Sequence, residues 1–149
     1  MGAMGCSVES GDHSTTVSRD SDAPLRGIDV DMSDISDLVP TVAAVALFAE
    51  TPTRITGVGF IRGKESDRLG DLARELGALG GAVEETDDGL VVHPSQSRLH
   101  GATLATHHDH RLAMAFGVIS TVVDGIEIAD PGVVTKSWPA YWQMLDGLS

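Results

Sequence analysis

The sequence has a single cysteine, Cys6, in 149 residues. A disulfide within the chain is therefore excluded, and a reducing cytoplasm is the expected compartment. Aromatic residues are scarce, at 4%, so the 42% hydrophobic content is carried by Ala, Val and Leu. That composition suits a well-covered α/β or α+β domain, and the length suffices for one domain with a real core. Positive charge is also short: 10 Lys and Arg stand against 22 Asp and Glu, a formal net charge of −12. Neither a duplex or RNA backbone nor an anionic membrane surface is a natural partner for such a surface. No stretch approaches ~18 consecutive apolar residues, so no membrane span is expected. The longest candidate, LVPTVAAVALFA, contains Pro40 and Thr41. The opening MGAMGCSVESGD has neither the basic start nor the apolar middle of a secretory leader.

What is present is an internal repeat. GAMGCSVE (2–9) aligns with GALGGAVE (77–84), LRGIDVDMSDISDL (25–38) with LHGATLATHHDHRL (99–112), and ITGVG (55–59) with IADPG (128–132). The order of the matches is kept along the chain, and the unit is too long for an ordinary solenoid. Each copy reads as a hairpin, a short strand, a helix, a strand and a second helix. The hairpins are SVESGDHSTTVS and AVEETDDGLVVHP, the latter turning at Asp88-Gly89, where Gly accepts positive φ. The first helices carry the stripes Leu38, Val42, Val45, Ala49 and Leu112, Phe116, Ile119, Val123. The second helices carry Leu69, Leu72, Leu76, Leu79 and Trp138, Tyr141, Leu145, Leu148. Helical spacing of this kind predicts one buried face per helix. The fold class is α+β (mixed α/β), with repeat unit one at about 1–75 and unit two at about 76–149. The first residues match the middle of unit two, so the chain reads as a fragment of a longer protein.

The scarce cations are not scattered. The only two lysines, Lys64 and Lys136, each follow the second strand of their copy and precede a helix. Arg68 opens one helix, Arg111 opens another, and Asp37 opens the corresponding helix of unit one. Strand-to-helix transitions of layered α/β units share one edge of the sheet, where ligands bind. Helix N-terminal N–H groups, Arg forks and a Lys point charge together suit phosphate and carboxylate. A plainer reading of KESDR also holds: Ser66 as N-cap, Asp67 in the first turn, Lys64 and Arg68 solvated. HHDH (107–110) raises zinc, but adjacent His107 and His108 can face one ion only on an irregular loop, and no Cys or Glu pair completes a tetrahedral set. His110 reads better as a polar or proton-transferring residue, and Trp138, Tyr141 and Trp142 as packing near the terminus. A non-catalytic anion-binding module and a metal hydrolase centred on HHDH are the readings that compete with a transferase.

Four segments in order, DMSDISDLVPT, KESDRL, HDHRLAM and TKSWPAYW, resemble the C-terminal part of the 5-enolpyruvylshikimate-3-phosphate synthase family. The resemblance covers essentially the whole chain. A sibling family acting on UDP-N-acetylglucosamine shares the fold, but its motifs do not look like KESDR and DHR. The resemblance implies repeated βαβαββ units of the enolpyruvyl transferase (alpha-beta prism) type and a shikimate-pathway reaction serving aromatic amino-acid biosynthesis. In it, the enolpyruvyl group of phosphoenolpyruvate moves to the 5-hydroxyl of shikimate 3-phosphate and phosphate is released. It further implies that Asp37 acts as base on that hydroxyl with Lys64 beside it, and that Glu65 protonates the methylene carbon and later takes the proton back. Arg68 and Arg111, with His110 nearby, would clamp the carboxylate, and Lys136 would contact phosphate or transfer a proton. No metal or organic cofactor is implied. Phe60 and His108 depart from the polar Asn of many relatives. The family's N-terminal domain is the expected partner of this piece, and the isolated fragment is expected to be inactive.

Overall fold

The computed structural model describes residues 1–20, 22–64, 66–95 and 98–148. The two repeats fold alike. Unit one runs β1 (Ser7–Ser10), β2 (Thr15–Ser18), β3 (Asp29–Asp31), a 3₁₀ segment Ser33–Leu38, α1 (Val39–Ala46), β4 (Thr53–Thr56), a 3₁₀ turn Gly59–Gly63 and α2 (Arg68–Ala78). Unit two runs β5 (Ala82–Thr86), β6 (Gly89–His93), β7 (Thr103–Leu104), α3 (His110–Ser120), β8 (Glu127–Ile128), a 3₁₀ turn Pro131–Lys136 and α4 (Tyr141–Asp146).

Within each unit the single strands pair in parallel, β3 with β4 and β7 with β8. The hairpin of unit two joins them: β6 pairs antiparallel with β4, giving a four-stranded sheet of order β3-β4-β6-β5. The run GLVVH explains why β6 takes the inner place, because Leu90, Val91 and Val92 are all buried. The equivalent hairpin of unit one, β1-β2, stands apart with every residue exposed, including the facing pair Val8 and Val17.

Helices α1 and α3 pack on one another, and α2 closes over the four-stranded sheet. Leu69, Leu72, Leu76 and Leu79 are fully buried, as are Leu112, Phe116 and Ile119, so two of the four expected stripes lie where periodicity puts them. The other two need correction. In α1 the buried residues are Val39, Pro40, Ala43, Ala44 and Ala46; of the expected stripe only Ala49, beyond the helix, is buried, while Leu38 is 51% exposed and Val42 and Val45 are only partly covered. A segment that is apolar all round offers no contrast from which to choose a face. In the last helix Tyr141 and Leu145 are buried but Trp138 and Leu148 are exposed, because α4 spans only Tyr141–Asp146.

The turn between β5 and β6 is also made differently from the expectation. Gly89 is outside the left-handed region; it is needed because a Cβ there would meet the Ile55 carbonyl oxygen at 1.9 Å. Asp88 serves the turn in another way, accepting hydrogen bonds from the backbone N–H of Gly57 (2.7 Å) and Gly59 (3.3 Å).

Candidate functional site

Four of the residues expected at strand-to-helix transitions gather at one place. Asp37 is the penultimate residue of the 3₁₀ segment before α1, Lys64 caps the 3₁₀ turn after β4, Arg68 is the first residue of α2, and Arg111 is the second residue of α3. Their side chains meet on one carboxylate. Lys64 Nζ lies 3.2 Å from Asp37 Oδ1, Arg68 Nη1 lies 3.3 Å from the same oxygen, and Arg111 Nη2 lies 2.7 Å from Oδ2. Burial alone would raise the Asp37 carboxyl. The hydrogen bond from Lys64, the charges of Arg111 and Lys64 and the hydrogen bond from Arg68 together outweigh it, and the group sits below the usual Asp value. Asp37 is thus held as an anion, and the cations that sequence alone leaves facing each other are partly neutralised by it.

Arg68 has no exposed surface, a rare position for a guanidinium and one that demands partners on all sides. Its second carboxylate is Asp109, itself fully buried, whose Oδ2 accepts from Arg68 Nε at 2.7 Å. The other oxygen of Asp109 accepts from the Arg111 backbone N–H at 2.8 Å and so caps α3. One residue therefore ties the start of α3 to the start of α2. Sequence reasoning placed Asp109 inside the motif but gave it no role. The sign that could have shown it is an Asp directly before a helix-opening His-Arg pair.

Among the described residues, the three cations Lys64, Arg68 and Arg111 face two carboxylates, Asp37 and Asp109. Arg111 Nε is buried and has no hydrogen-bond acceptor among the described residues. Beside Asp37 and Arg111 opens a cleft of about 300 Å³, walled by Leu38, Thr41, Met114, Val118, Trp138 and Tyr141. An unsatisfied guanidinium N–H next to an open cleft is a natural seat for an anion. Phe60, 56% exposed, lies with its ring centroid 5.6 Å from Lys64 Nζ.

The remaining expected residues fall as follows. His110 is buried as the first residue of α3, its Nδ1 4.0 Å from Asp109 Oδ1. Lys136 ends the 3₁₀ turn Pro131–Lys136 and is exposed. Among the described residues it pairs with no carboxylate, and it is not drawn into the Asp37 cluster. Glu65 lies outside the described residues. Trp138 is corrected from packing to lining, since it is 45% exposed on the cleft, whereas Tyr141 does pack, its hydroxyl donating to the Met114 carbonyl at 2.6 Å. The cap of α2 is Asp67, which accepts from the Gly70 N–H, rather than Ser66. Arg62 faces away from the cluster, paired with Asp67 and Glu85 and donating to the Thr86 carbonyl. It braces α2 and β5 and belongs to structure.

His107 and His108 both take left-handed backbone conformations, φ 51° and 59°, which places them on the irregular loop that the HHDH spacing required. The His107 imidazole is committed to α2: Nε2 lies 2.8 Å from Glu75 Oε1 and Nδ1 lies 3.5 Å from Asp71 Oδ1.

With this geometry in place, comparison with known proteins is specific. The profile of the family described as EPSP synthase (3-phosphoshikimate 1-carboxyvinyltransferase) matches residues 1–145. The 3-phosphoshikimate 1-carboxyvinyltransferase of Methanospirillum hungatei is 46% identical over 142 residues, covering 95% of this chain and 33% of the relative. That of Methanoculleus marisnigri is 48% identical over 145 residues, covering 97% of this chain and 33% of the relative. Among solved structures, an EPSP synthase from Acinetobacter baumannii superposes with a TM-score of 0.84 at 26% identity, covering 98% of this chain and 37% of the other. The chain spans about a third of the length of the curated relatives it matches.

Proposed function

The chain belongs to the EPSP synthase (3-phosphoshikimate 1-carboxyvinyltransferase) family, and from that membership we propose that it supplies one wall of the site where the enolpyruvyl group of phosphoenolpyruvate is transferred to the 5-hydroxyl of shikimate 3-phosphate. The observation that carries the reading is the convergence of Lys64, Arg68 and Arg111 on Asp37 beside an open cleft. Both substrates are highly anionic, and such a cluster suits them.

The work divides between two carboxylates. Attack of the hydroxyl oxygen on the enol carbon forms a C–O bond while its proton passes to Asp37. The methylene carbon takes a proton from Glu65. Return of that proton to Glu65 and cleavage of the bond to phosphate then release the enol ether and inorganic phosphate, which carries off the proton held by Asp37. Asp37 with all three cations attached is a weak base. An arriving carboxylate or phosphate competes for Arg111 and Lys64, loosens their hold and restores basicity to Asp37. Lys136 is assigned to the phosphate that leaves, and His110 to the support of Arg111.

Residues 1–149 form part of one domain of the larger enzyme, acting in the cytoplasm, with phosphoenolpyruvate, shikimate 3-phosphate and the family's N-terminal domain as partners. The exposed β1-β2 hairpin agrees with this, as does β8, which lacks the hairpin neighbour that β4 has in β6. Among the described residues no helix is long and apolar enough to cross a membrane.

The test is a split between rate and binding. In a polypeptide carrying this chain with the rest of the family's length, Glu65→Gln and Asp37→Ala should each lower kcat roughly 100-fold or more, the scale of lost acid–base catalysis, with far smaller changes in KM. A loss confined to KM would count against both roles.

A further inference from the structure

Helix α2 carries a second stripe besides its leucines. Arg68, Asp71 and Glu75 stand at i, i+3 and i+7 on one face, and all three are buried, with 0%, 6% and 7% of their surface exposed. Each of them holds the loop that runs from β7 to α3. Glu75 Oε2 accepts from the Ala105 N–H at 2.9 Å, and Glu75 Oε1 meets His107 Nε2 at 2.8 Å. Asp71 Oδ1 accepts from Arg74 at 2.9 Å and faces His107 Nδ1 at 3.5 Å. Arg68 donates to Asp109. Between the first and last of these anchors, two successive residues hold left-handed conformations that L side chains seldom adopt. Such a turn persists only where its surroundings hold it. Its outcome is the placement of Asp109, whose N–H returns to the Thr106 carbonyl at 2.8 Å and whose carboxylate grips Arg68 Nε and the Arg111 N–H.

We propose that His107 is a positioning residue: by spanning Glu75 and Asp71 of α2 it fixes the loop that presents Asp109, and through Asp109 it sets Arg68 and Arg111 for anion binding. Its connection to substrate rests on the function proposed above, while its effect on Arg68 does not. His107 touches no reacting group. The imidazole is the piece that fits because it reaches both carboxylates from one backbone position while its residue type tolerates the left-handed conformation better than most.

The experiment uses the 149-residue chain. His107→Asn keeps a residue at ease in the left-handed region but is too short to span the carboxylates. His107→Gly removes imidazole and backbone strain together, so it cannot fail through strain. The readouts are thermal unfolding, the hydrogen-exchange rate of the Arg68 Nε–H by ¹⁵N NMR, and phosphoenolpyruvate titration at fixed ionic strength. At least one variant is expected to unfold within a few degrees of the parent chain, to exchange the Arg68 Nε–H at least tenfold faster, and to bind phosphoenolpyruvate at least fivefold more weakly. Folded variants whose Arg68 Nε–H stays as protected as in the parent would overturn the proposal. Faster exchange in the variants, with no phosphoenolpyruvate binding even by the parent chain, would uphold the positioning role and count against the substrate reading alone.

Discussion

Arg68 and Asp109 show what the site demands of single residues. Each is fully buried and charged, so each depends on the other. Removing one partner of such a pair costs more than the pair itself contributes, because a charge is left without water or counterion. Asp109→Ala should therefore destabilise the chain by about 3–5 kcal/mol, measurable by urea denaturation, with lost capping of α3 included. A cost below about 1 kcal/mol would mean that Arg68 finds another acceptor. Asp37 makes a different prediction. Its folded value lies below the ordinary one, so its stabilising effect is complete above the unfolded Asp range, near pH ~3.9, and is lost as pH falls through the folded value. The stability difference between the parent chain and Asp37→Asn should shrink as pH falls from about 6 to about 3. It should also shrink with added salt, since the Asp37 side chain is 46% exposed. A difference constant across that range would contradict the account. At this scale the sequence was most informative where residue type and position agreed: Asp37, Lys64, Arg68 and Arg111 were legible as helix-start charges. Asp109 and Glu75 were not, because their importance lies in what they hold, and burial of a charge leaves no mark in a single sequence.

Elements were legible through repetition more than through propensity. The two units share their order of strands and helices, and the repeat aligned even short strands such as β7 that carry little signal of their own. The 3₁₀ turns Gly59–Gly63 and Pro131–Lys136 have no signal in the sequence, yet they occupy the same place in both units, one capped by Lys64 and the other ending at Lys136. Short 3₁₀ segments have no apolar period to read. The stripe of α1 was misjudged for the same lack of contrast. Leu38 faces the cleft instead of the core, so its exposure is part of the site and not a fault of packing. The close approach at Gly89 gives an element-scale prediction. Gly89→Ala places a methyl against the Ile55 carbonyl and must part β4 from β6. A loss of about 2 kcal/mol or more by denaturation is expected, with faster amide exchange in both strands. An unchanged midpoint would show that the ladder can shift without cost.

At the scale of the whole molecule, apolar side chains are exposed at several separate places. Leu38 is exposed just before α1, Val122 just after α3 and Trp138 just before α4, and Val8 and Val17 are exposed on a hairpin that, among the described residues, pairs with no other sheet. The function proposed above pairs this chain with the rest of the length that the curated relatives have. If, as proposed, the chain supplies one wall of the cleft, it should by itself release no phosphate from phosphoenolpyruvate and shikimate 3-phosphate. Turnover by the chain alone would refute that. The central claim, that this chain forms the working C-terminal wall of an enolpyruvyl transferase, is tested most directly by exchange. The chain replaces the matching 145 residues of the Methanoculleus marisnigri relative, and phosphate release is measured with both substrates. The account predicts activity that requires both substrates and falls roughly 100-fold or more on Asp37→Ala. A folded chimera that binds neither substrate, or one whose activity survives Asp37→Ala, would contradict it.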